Sequence, residues 1–366
     1  MLHVLHVDTG REWRGGQAQA LGLLTALSGE PDLRQTLCAP PDSPLAQRAS
    51  ERGVEILRLS LRGEWDLVSS RAIRRFIREE SVGIVHTHDA HAHAHALGAV
   101  RRFPGVRLVV HRRVDFDVGR GWFRRRKWGP RVDHVIAISE GVADVLERCG
   151  ISRGRISVIP SGVDVAKFDG LEPDAVVRGD LGVPPNAPLI GNVAALVDHK
   201  GHVYLIDAME HVLREIPEAH CVIVGEGELR PHLEQRIRKR GLEGHVSLAG
   251  WRSDVGQCLD QFDVFCLSSH KEGLCTSLLD AALMRVPLVA FRTGGVPDIV
   301  RDGETGWLAP VRDAKALAAA IVEALRDREE ARRRAEAAHA HVLATFDLRL
   351  TAQRTLELWR RLAVGG

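Results

Sequence analysis

Short apolar runs alternate with longer amphipathic segments along the first half of the chain. Runs this short, separated by helical patterns, predict the strands of a parallel sheet joined by helices. The pattern therefore predicts an α/β, Rossmann-like domain over residues 1–165. Its expected strands are residues 3–8, 35–40, 54–59, 83–88, 107–111, 134–139 and 156–160.

This alternation stops and then restarts. Residues 166–188 are rich in Gly, Pro and Asp, which predicts a linker between two domains. A second doubly wound domain is predicted over 189–345, and a C-terminal helix over 346–366 that packs back toward the first domain. Two such domains would bind a ligand in a cleft at the carboxyl ends of their strands. The second set of expected strands is 189–193, 221–224, 246–249, 264–267, 287–290 and 306–308.

The composition narrows the class of protein. At 366 residues the chain exceeds the usual size of one hydrophobic core. A net charge of +2 gives no reason to expect a nucleic acid as partner. The six cysteines are scattered, as is typical of reduced, buried thiols in a cytosolic protein. Because neither a signal peptide nor a membrane span is recognisable, we expect a cytoplasmic location.

The segment 268–282 carries the clearest chemical signal. An acidic residue and a glycine, Glu272 and Gly273, directly follow an expected strand, and a helix begins soon after. The free amides of a helix start can receive phosphate oxygens. Asp280 lies eight positions after Glu272, so the two carboxylates suit separate hydroxyl sets, such as those of a sugar and a ribose.

Further motifs occur around this segment in a fixed order, at residues 158–164, 199–201, 224–227, 272–280, 294–297 and 303–306. With them, the chain resembles the retaining family 4 glycosyltransferases, also described as glycosyl transferases group 1. The resemblance implies the GT-B fold, in which two Rossmann-like domains face each other across a cleft. It also implies transfer from a nucleotide diphosphate sugar with retention, without a metal or other cofactor.

The same resemblance implies roles for individual residues. Glu272 would hold hydroxyls of the donor sugar, Asp280 the ribose and Lys200 the diphosphate. Gly273, Leu274 and Cys275 would offer backbone amides, and Gly225 and Gly227 are also predicted to bind the donor.

Two positions depart from the family pattern. Asp280 stands where the family usually has Glu, and Ala195 stands where it often has Arg. These changes predict weak donor binding or an unusual donor. They also keep open the alternative of a degenerate protein that binds a sugar nucleotide without catalysis. A second alternative, a sugar-nucleotide epimerase, shares the same fold.

The first domain offers candidates for the acceptor side. Gly15 and Gly16 follow the first expected strand, where the family has a glycine-rich loop facing the transferred group. His111 ends an expected strand and resembles the family's active-site histidine, so we predict a catalytic role beside Glu272 and Lys200. Arg112 and Arg113 follow directly and are predicted to lie on the acceptor side.

A histidine-rich run over 86–95 allows two interpretations. His91 and His95 would share a helix face and could bind a metal. Alternatively, alternating His and Ala form the exposed start of a helix that lines the cleft. We favour the second interpretation and predict no metal site.

Basic and aromatic residues are mixed over 121–128. Such a cluster could contact an anionic membrane surface or an anionic acceptor. It could equally be an amphipathic helix with its aromatic side chains packed inward. We expect a glycan or lipid-linked acceptor, possible peripheral association with the inner face of the cell membrane, and no nucleic acid.

Overall fold

A computed structural model describes residues 1–63, 66–114, 127–172 and 174–364. The chain divides into two compact units. Unit 1 comprises Met1–Gly162 and Leu348–Gly366, and unit 2 comprises Val163–Asp347.

Unit 1 is built on a seven-stranded parallel sheet with the order β3-β2-β1-β4-β5-β6-β7. Its strands are β1 (Leu2–Val7), β2 (Leu33–Ala39), β3 (Glu55–Arg58), β4 (Ile84–Thr87), β5 (Arg107–Arg112), β6 (His134–Ala137) and β7 (Ile156–Val158). Its helices are α1 (Gly15–Ala26), α2 (Pro44–Glu51), α3 (Leu67–Glu79), α4 (Ala90–Val100), α5 (Glu140–Arg148) and, at the end of the chain, α14 (Leu348–Val364).

Local sequence explains where several of these helices begin. The Asp89 carboxylate accepts hydrogen bonds from the amides of His91 and Ala92 and so caps α4. Ser43 caps α2 in the same way, and a proline occupies the first turn of that helix. These side chains satisfy amides that have no partner inside their own helix.

The last helix, α14, belongs to the core of unit 1. Trp359 is fully buried and packs in one cluster with Val4 and Ile84 from the central strands. Its ring also meets the rings of His6 and His86 edge-on, with centroids 5.4 Å apart in both pairs. One face of the sheet under α14 is therefore partly polar.

Unit 2 contains a six-stranded parallel sheet with the order β10-β9-β8-β11-β12-β13. Its strands are β8 (Leu189–Val193), β9 (His220–Val224), β10 (Val246–Gly250), β11 (Val264–Leu267), β12 (Leu288–Phe291) and β13 (Trp307–Ala309). Its helices are α6 (Ala175–Asp180), α7 (His202–Glu215), α8 (Arg230–Lys239), α9 (Val255–Asp260), α10 (Thr276–Leu283), α11 (Val296–Ile299), α12 (Ala314–Arg326) and α13 (Arg328–Thr345).

The segment 166–188, predicted to be a linker, is instead part of unit 2. It contains α6, and Val177 and Leu181 are buried. A Cβ placed on Gly256 would lie 2.9 Å from the Phe168 ring, so this segment also packs closely against α9. The sequence pattern did not reveal this because only a few apolar residues of the segment are buried, whereas Val176 is exposed; the buried ones are Val177, Leu181, Val183 and Ala187.

The strand orders place a topological switch point in each sheet. In unit 1 it lies between β1 and β4, and in unit 2 between β8 and β11. Ligands of such sheets bind beyond the carboxyl ends of the strands at the switch point. The predicted α/β class with two Rossmann-like, parallel-sheet units is confirmed. Among the residues described, no helix has the length and apolar character to cross a membrane.

Candidate active site

An ion pair lies at the switch point of unit 2. The Lys200 Nζ and Glu272 Oε2 atoms are 2.6 Å apart, and the two side chains are 18% and 10% exposed. Burial alone would lower the pKa of the Lys200 ammonium, but the neighbouring Cys275 and Glu272 groups raise it above its usual value. A charged lysine and an acidic hydrogen-bond acceptor therefore share one poorly solvated position.

The backbone of two loops brings this pair together. Lys200 ends a short 3-10 turn after β8, and Glu272 lies in the loop after β11. The His270 amide donates to the His199 carbonyl at 3.0 Å, and the Ser268 hydroxyl donates to the Lys200 carbonyl. Gly201 has a φ of +64°, and a Cβ there would lie 2.2 Å from the Ser268 carbonyl oxygen. Only glycine permits this approach without displacing the loop.

The chain after Glu272 leads into α10. The Ser277 hydroxyl donates to the Val193 carbonyl at 2.8 Å, which ties the start of α10 to the end of β8. Cys275 is buried at this start, and burial raises the pKa of its thiol. It offers no side-chain cap to α10. Gly273, Leu274 and Cys275 therefore lead from Glu272 to a helix start that lacks a side-chain cap.

Asp280 has a partner that the sequence analysis missed. Its Oδ2 atom lies 2.7 Å from the Lys167 Nζ, and the two side chains are 11% and 46% exposed respectively. Burial raises the pKa of Asp280, and the Lys167 charge partly opposes that shift. The carboxylate predicted to hold ribose is thus already paired with a half-exposed cation.

Gly225 and Gly227 approach the loop that follows β8. Added Cβ atoms would lie 2.0 Å from the Ala194 carbonyl oxygen and 2.5 Å from the Leu196 carbonyl oxygen. Both glycines are therefore required by backbone packing beside the loop that leads to Lys200. Ala195, where the family often has Arg, is exposed.

Unit 1 gathers polar side chains at its own switch point. Asp8 follows β1 and accepts hydrogen bonds from the Gly10 amide at 2.8 Å and from the Gln17 side chain. Asp89, after β4, accepts from both the amide and the hydroxyl of Thr9. Burial raises the pKa of Asp8 to about 6, and the nearby Asp89 charge adds to this.

Four buried histidines line the neighbouring face of the sheet. His6 and His86 are paired in the register of β1 and β4, and His88 and His111 lie at strand ends. The His86 and His111 rings are stacked with centroids 5.4 Å apart. The Arg113 Nη2 lies 3.1 Å from the His88 Nδ1 and 3.4 Å from the His111 Nδ1. His111 thus belongs to a connected polar cluster and is not an isolated strand-end residue.

The other residues predicted for the acceptor side are placed differently. Arg112 is the last residue of β5 and lies between His111 and Arg113 in the sequence, so its side chain points to the opposite face. There its charge acts on buried His93. Burial lowers the pKa of His93 to about 3, and the charges of Lys127 and Arg112 contribute to this shift. The structure does not bring Arg112 to the Arg113 cluster.

Gly15 and Gly16 form the first turn of α1, which has no side-chain cap. Among the residues that the structure describes, a Cβ on Gly15 would contact nothing within 4 Å, and one on Gly16 would meet only the Arg113 Cδ, at 3.8 Å. Packing therefore does not require glycine at either position. The missing side chains leave the amides at the start of α1 uncovered beside Arg113.

The histidine run is only partly an exposed helix start. His91 is exposed, whereas His93 and His95 are buried on α4. Among the described residues, His6, His86 and His88 have ring nitrogens within 4.8 Å of one another, a spacing that could hold a metal ion. However, the His6 Nδ1 and His88 Nε2 are 2.9 Å apart and hydrogen-bonded to each other, so these two nitrogens are already paired.

Most of the predicted basic and aromatic cluster, residues 121–126, lies outside the described residues. Of its described members, Trp128 is buried and its ring meets the His93 ring at a centroid distance of 4.8 Å. At this position, the interpretation of inward-packed aromatic residues fits best.

The buried histidines predict that acid destabilises the fold. Burial lowers the pKa of His6 to about 3 and moves those of His86, His88 and His111 well below 6.5. Below pH 6.5 the unfolded chain binds protons that the folded chain does not, so stability is present above pH 6.5 and is lost as the pH falls. Each such histidine contributes about 1.4 kcal/mol per pH unit in this range.

Urea unfolding at pH 7.5 and pH 5.5 tests this expectation. The midpoint should fall at pH 5.5, and His86→Gln should reduce the difference between the two pH values. His91→Gln, at an exposed position of α4, serves as the control. An unchanged pH difference in His86→Gln would contradict the assignment of buried, neutral histidines.

Two family profiles match successive parts of the chain. The profile of Glycosyltransferase Family 4 matches residues 14–167, and that of Glycosyl transferases group 1 matches residues 175–341. The class is therefore that of the GT-B glycosyltransferases. The chain belongs to the group 1, family 4 glycosyltransferases, and the resemblance stated from its motifs is confirmed.

Named relatives agree with this class. The lipopolysaccharide core biosynthesis glycosyltransferase LpsE of Rhizobium meliloti is 28% identical over 68% of both chains. An Escherichia coli UDP-Gal:alpha-D-GlcNAc-diphosphoundecaprenol alpha-1,3-galactosyltransferase is 28% identical over 72% of this chain and 71% of its own length. The crystal structure of Anabaena HepE with UDP and glucose matches the fold with a TM-score of 0.84, at 19% identity, over 99% of this chain and 100% of that one.

Proposed function

We propose that unit 2 binds a nucleotide diphosphate sugar and that the sugar is transferred, with retention and without a metal, to a hydroxyl of an envelope or lipid-linked glycan. The observation that carries the donor part is the 2.6 Å contact between Lys200 and Glu272 at the switch point. A cation for the diphosphate and a carboxylate for sugar hydroxyls stand side by side there. Their position beyond the strands is where a doubly wound sheet binds its ligand.

The reaction needs stabilisation of the leaving group. The bond between the anomeric carbon and the diphosphate oxygen breaks, a bond to the acceptor oxygen forms, and the acceptor proton passes to the diphosphate. Negative charge grows on the diphosphate as the bond breaks. A preorganised ammonium in a poorly solvated position stabilises that charge better than water does. Lys200 would provide this stabilisation, together with amides after Glu272.

The donor and acceptor classes are supported by the relatives. The E. coli relative is named for UDP-galactose and a diphosphoundecaprenol-linked acceptor, and LpsE for lipopolysaccharide core biosynthesis. The HepE structure contains UDP and glucose. A nucleotide diphosphate sugar and an acceptor from the synthesis of envelope glycans fit these names best. Unit 1, with His111 and the α1 start, would then serve the acceptor and the transferred sugar.

A thermal-shift screen with UDP, GDP, ADP and their common sugars tests the donor class. One nucleotide at about 100 times its dissociation constant should add roughly 2.7 kcal/mol to the free energy of unfolding. Lys200→Ala should lose the part of the stabilisation that comes from contact with the diphosphate. A nucleoside diphosphate should therefore raise the unfolding temperature of this variant no more than the matching monophosphate does. Asp280→Asn should weaken binding of every nucleotide, because it removes the charged acceptor proposed for ribose.

The variants separate two outcomes. If a nucleotide stabilises the wild type and Asp280→Asn equally, Asp280 does not contact ribose and the Lys167 pair is its only role. If no nucleotide raises the unfolding temperature at any concentration, unit 2 does not bind such donors and the proposal is wrong.

A further inference from the structure

A single arginine contacts two histidines of unit 1. Arg113 lies two positions after His111, and this spacing places both side chains on the same face of the sheet. The Arg113 Nη2 is 3.1 Å from the His88 Nδ1 and 3.4 Å from the His111 Nδ1. One terminal nitrogen carries two hydrogens, so each can point to a different imidazole.

The chemistry of these groups fixes the protons. A guanidinium only donates hydrogen bonds, so each Nδ1 that it contacts must be an unprotonated acceptor. A neutral imidazole with a free Nδ1 carries its proton on Nε2. His88 can then donate from Nε2 to the His6 Nδ1, which lies 2.9 Å away. The same donation leaves His6 with its own proton on Nε2.

We propose that Arg113 is a positioning residue that holds His111 in the neutral form protonated at Nε2. His111 then presents a hydrogen-bond donor to the substrate and does not act as a general base. Among the described residues, the His111 Nε2 is buried and has no hydrogen-bond partner, so its proton is not used by another group of the chain. This inference rests on the proposed function, because it assigns a substrate contact to His111.

The surrounding groups favour the same protonation state. Within the described part of the chain, the titratable groups around His111 are Arg113, the stacked His86, His88 and, further away, His6. Burial lowers the pKa of His111, and the charges of Arg113, His86 and His6 lower it further. Asp8 acts on Arg113, where its charge partly offsets the effect of burial. On the α14 side, the ring next to the stacked His86 is the uncharged Trp359.

The tautomer can be measured directly by long-range ¹H–¹⁵N correlation spectra of protein labelled with ¹⁵N-histidine. His111→Gln assigns the signals of His111. Between pH 8 and pH 5.5 the wild type should show a protonated Nε2 and an unprotonated Nδ1 at His111. This readout does not depend on turnover, so it stands even if the proposed donor or acceptor is wrong. A proton on Nδ1, or a charged ring at pH 7, would overturn the inference.

Two substitutions test the role of the guanidinium. In Arg113→Met the His111 signals should move toward a mixture of tautomers, and the pKa of His111 should rise. Transfer should fall about 10- to 100-fold, because a misoriented group near the reacting atoms has effects of this size. Arg113→Lys should restore part of the activity. Arg101→Met, which removes an exposed charge at the end of α4, should leave tautomer and rate unchanged.

A purely structural role for Arg113 makes a different prediction. Arg113→Met would then lower the unfolding temperature while the tautomer and the pH dependence of transfer stayed as in the wild type. That result, in a folded variant, would contradict the inference.

Discussion

Replacing Lys200 by Met should lower the rate of sugar transfer about 100- to 1,000-fold, the size of effect seen when one preorganised donor to a developing oxyanion is removed. The reason is the position of the Lys200 ammonium beside Glu272, in a site where both side chains are largely buried. Steady-state kinetics with a saturating donor measure this loss. Lys239→Met, at an exposed position in the same unit, should retain full activity.

The pair of Lys200 and Glu272 also contributes to the stability of the fold. A second variant is therefore needed to separate the role of Lys200 in catalysis from its role in stability. Removing one partner of a buried pair leaves the other charge uncompensated, which costs about 3–5 kcal/mol. Lys200→Met should therefore also be less stable. The double variant Lys200→Met/Glu272→Gln removes both charges and should regain much of that stability while staying inactive. If it regained activity as well, Lys200 would have only a structural role.

Gly201→Ala should abolish donor binding, whereas the same substitution at Gly241 should have little effect on it. Both glycines have a φ of +64°, so the alanines carry the same backbone strain of about 1–2 kcal/mol. Only at residue 201 would the new Cβ meet the Ser268 carbonyl oxygen, at 2.2 Å. The loop after β11 must then move, and Lys200 and Glu272 separate.

Nucleotide affinity and unfolding temperature should be measured together for this pair of variants. Gly241→Ala shows how much the backbone strain alone lowers affinity and unfolding temperature. Any further decrease in Gly201→Ala results from the clash with the Ser268 carbonyl oxygen. Equal affinity in the two variants would show that the close approach of the two loops is not needed for binding.

The sequence predicted the strands of both sheets because their apolar runs are short and regularly separated. It also placed Lys200 and Glu272 after two of these runs. The alternation does not by itself show that β8 and β11 are neighbours, since that depends on strand order. The match with the family motifs supplied that step, and the structure then gave the 2.6 Å contact.

Other features were beyond the sequence pattern. Lys167 lies in the segment predicted to be a linker, and its pairing with Asp280 spans 113 positions. In the sequence, Asp8 looked like the ordinary end of the first strand, and His6, which is buried, looked like an ordinary member of it. Their role as a polar cluster depends on which face of the sheet α14 covers. Only the spacing of His111 and Arg113, two positions apart at the end of β5, could have indicated that these side chains meet.

The most direct test of the account is a transfer assay with labelled UDP-, GDP- and ADP-sugars, a polyprenyl diphosphate-linked saccharide acceptor, and EDTA in excess. We expect one donor to deliver its sugar to the acceptor with the anomeric configuration of the donor, at a rate that EDTA does not change and that Lys200→Met largely abolishes. A donor that binds and is converted to an isomer, or is never transferred to any glycan acceptor offered, would contradict the central claim.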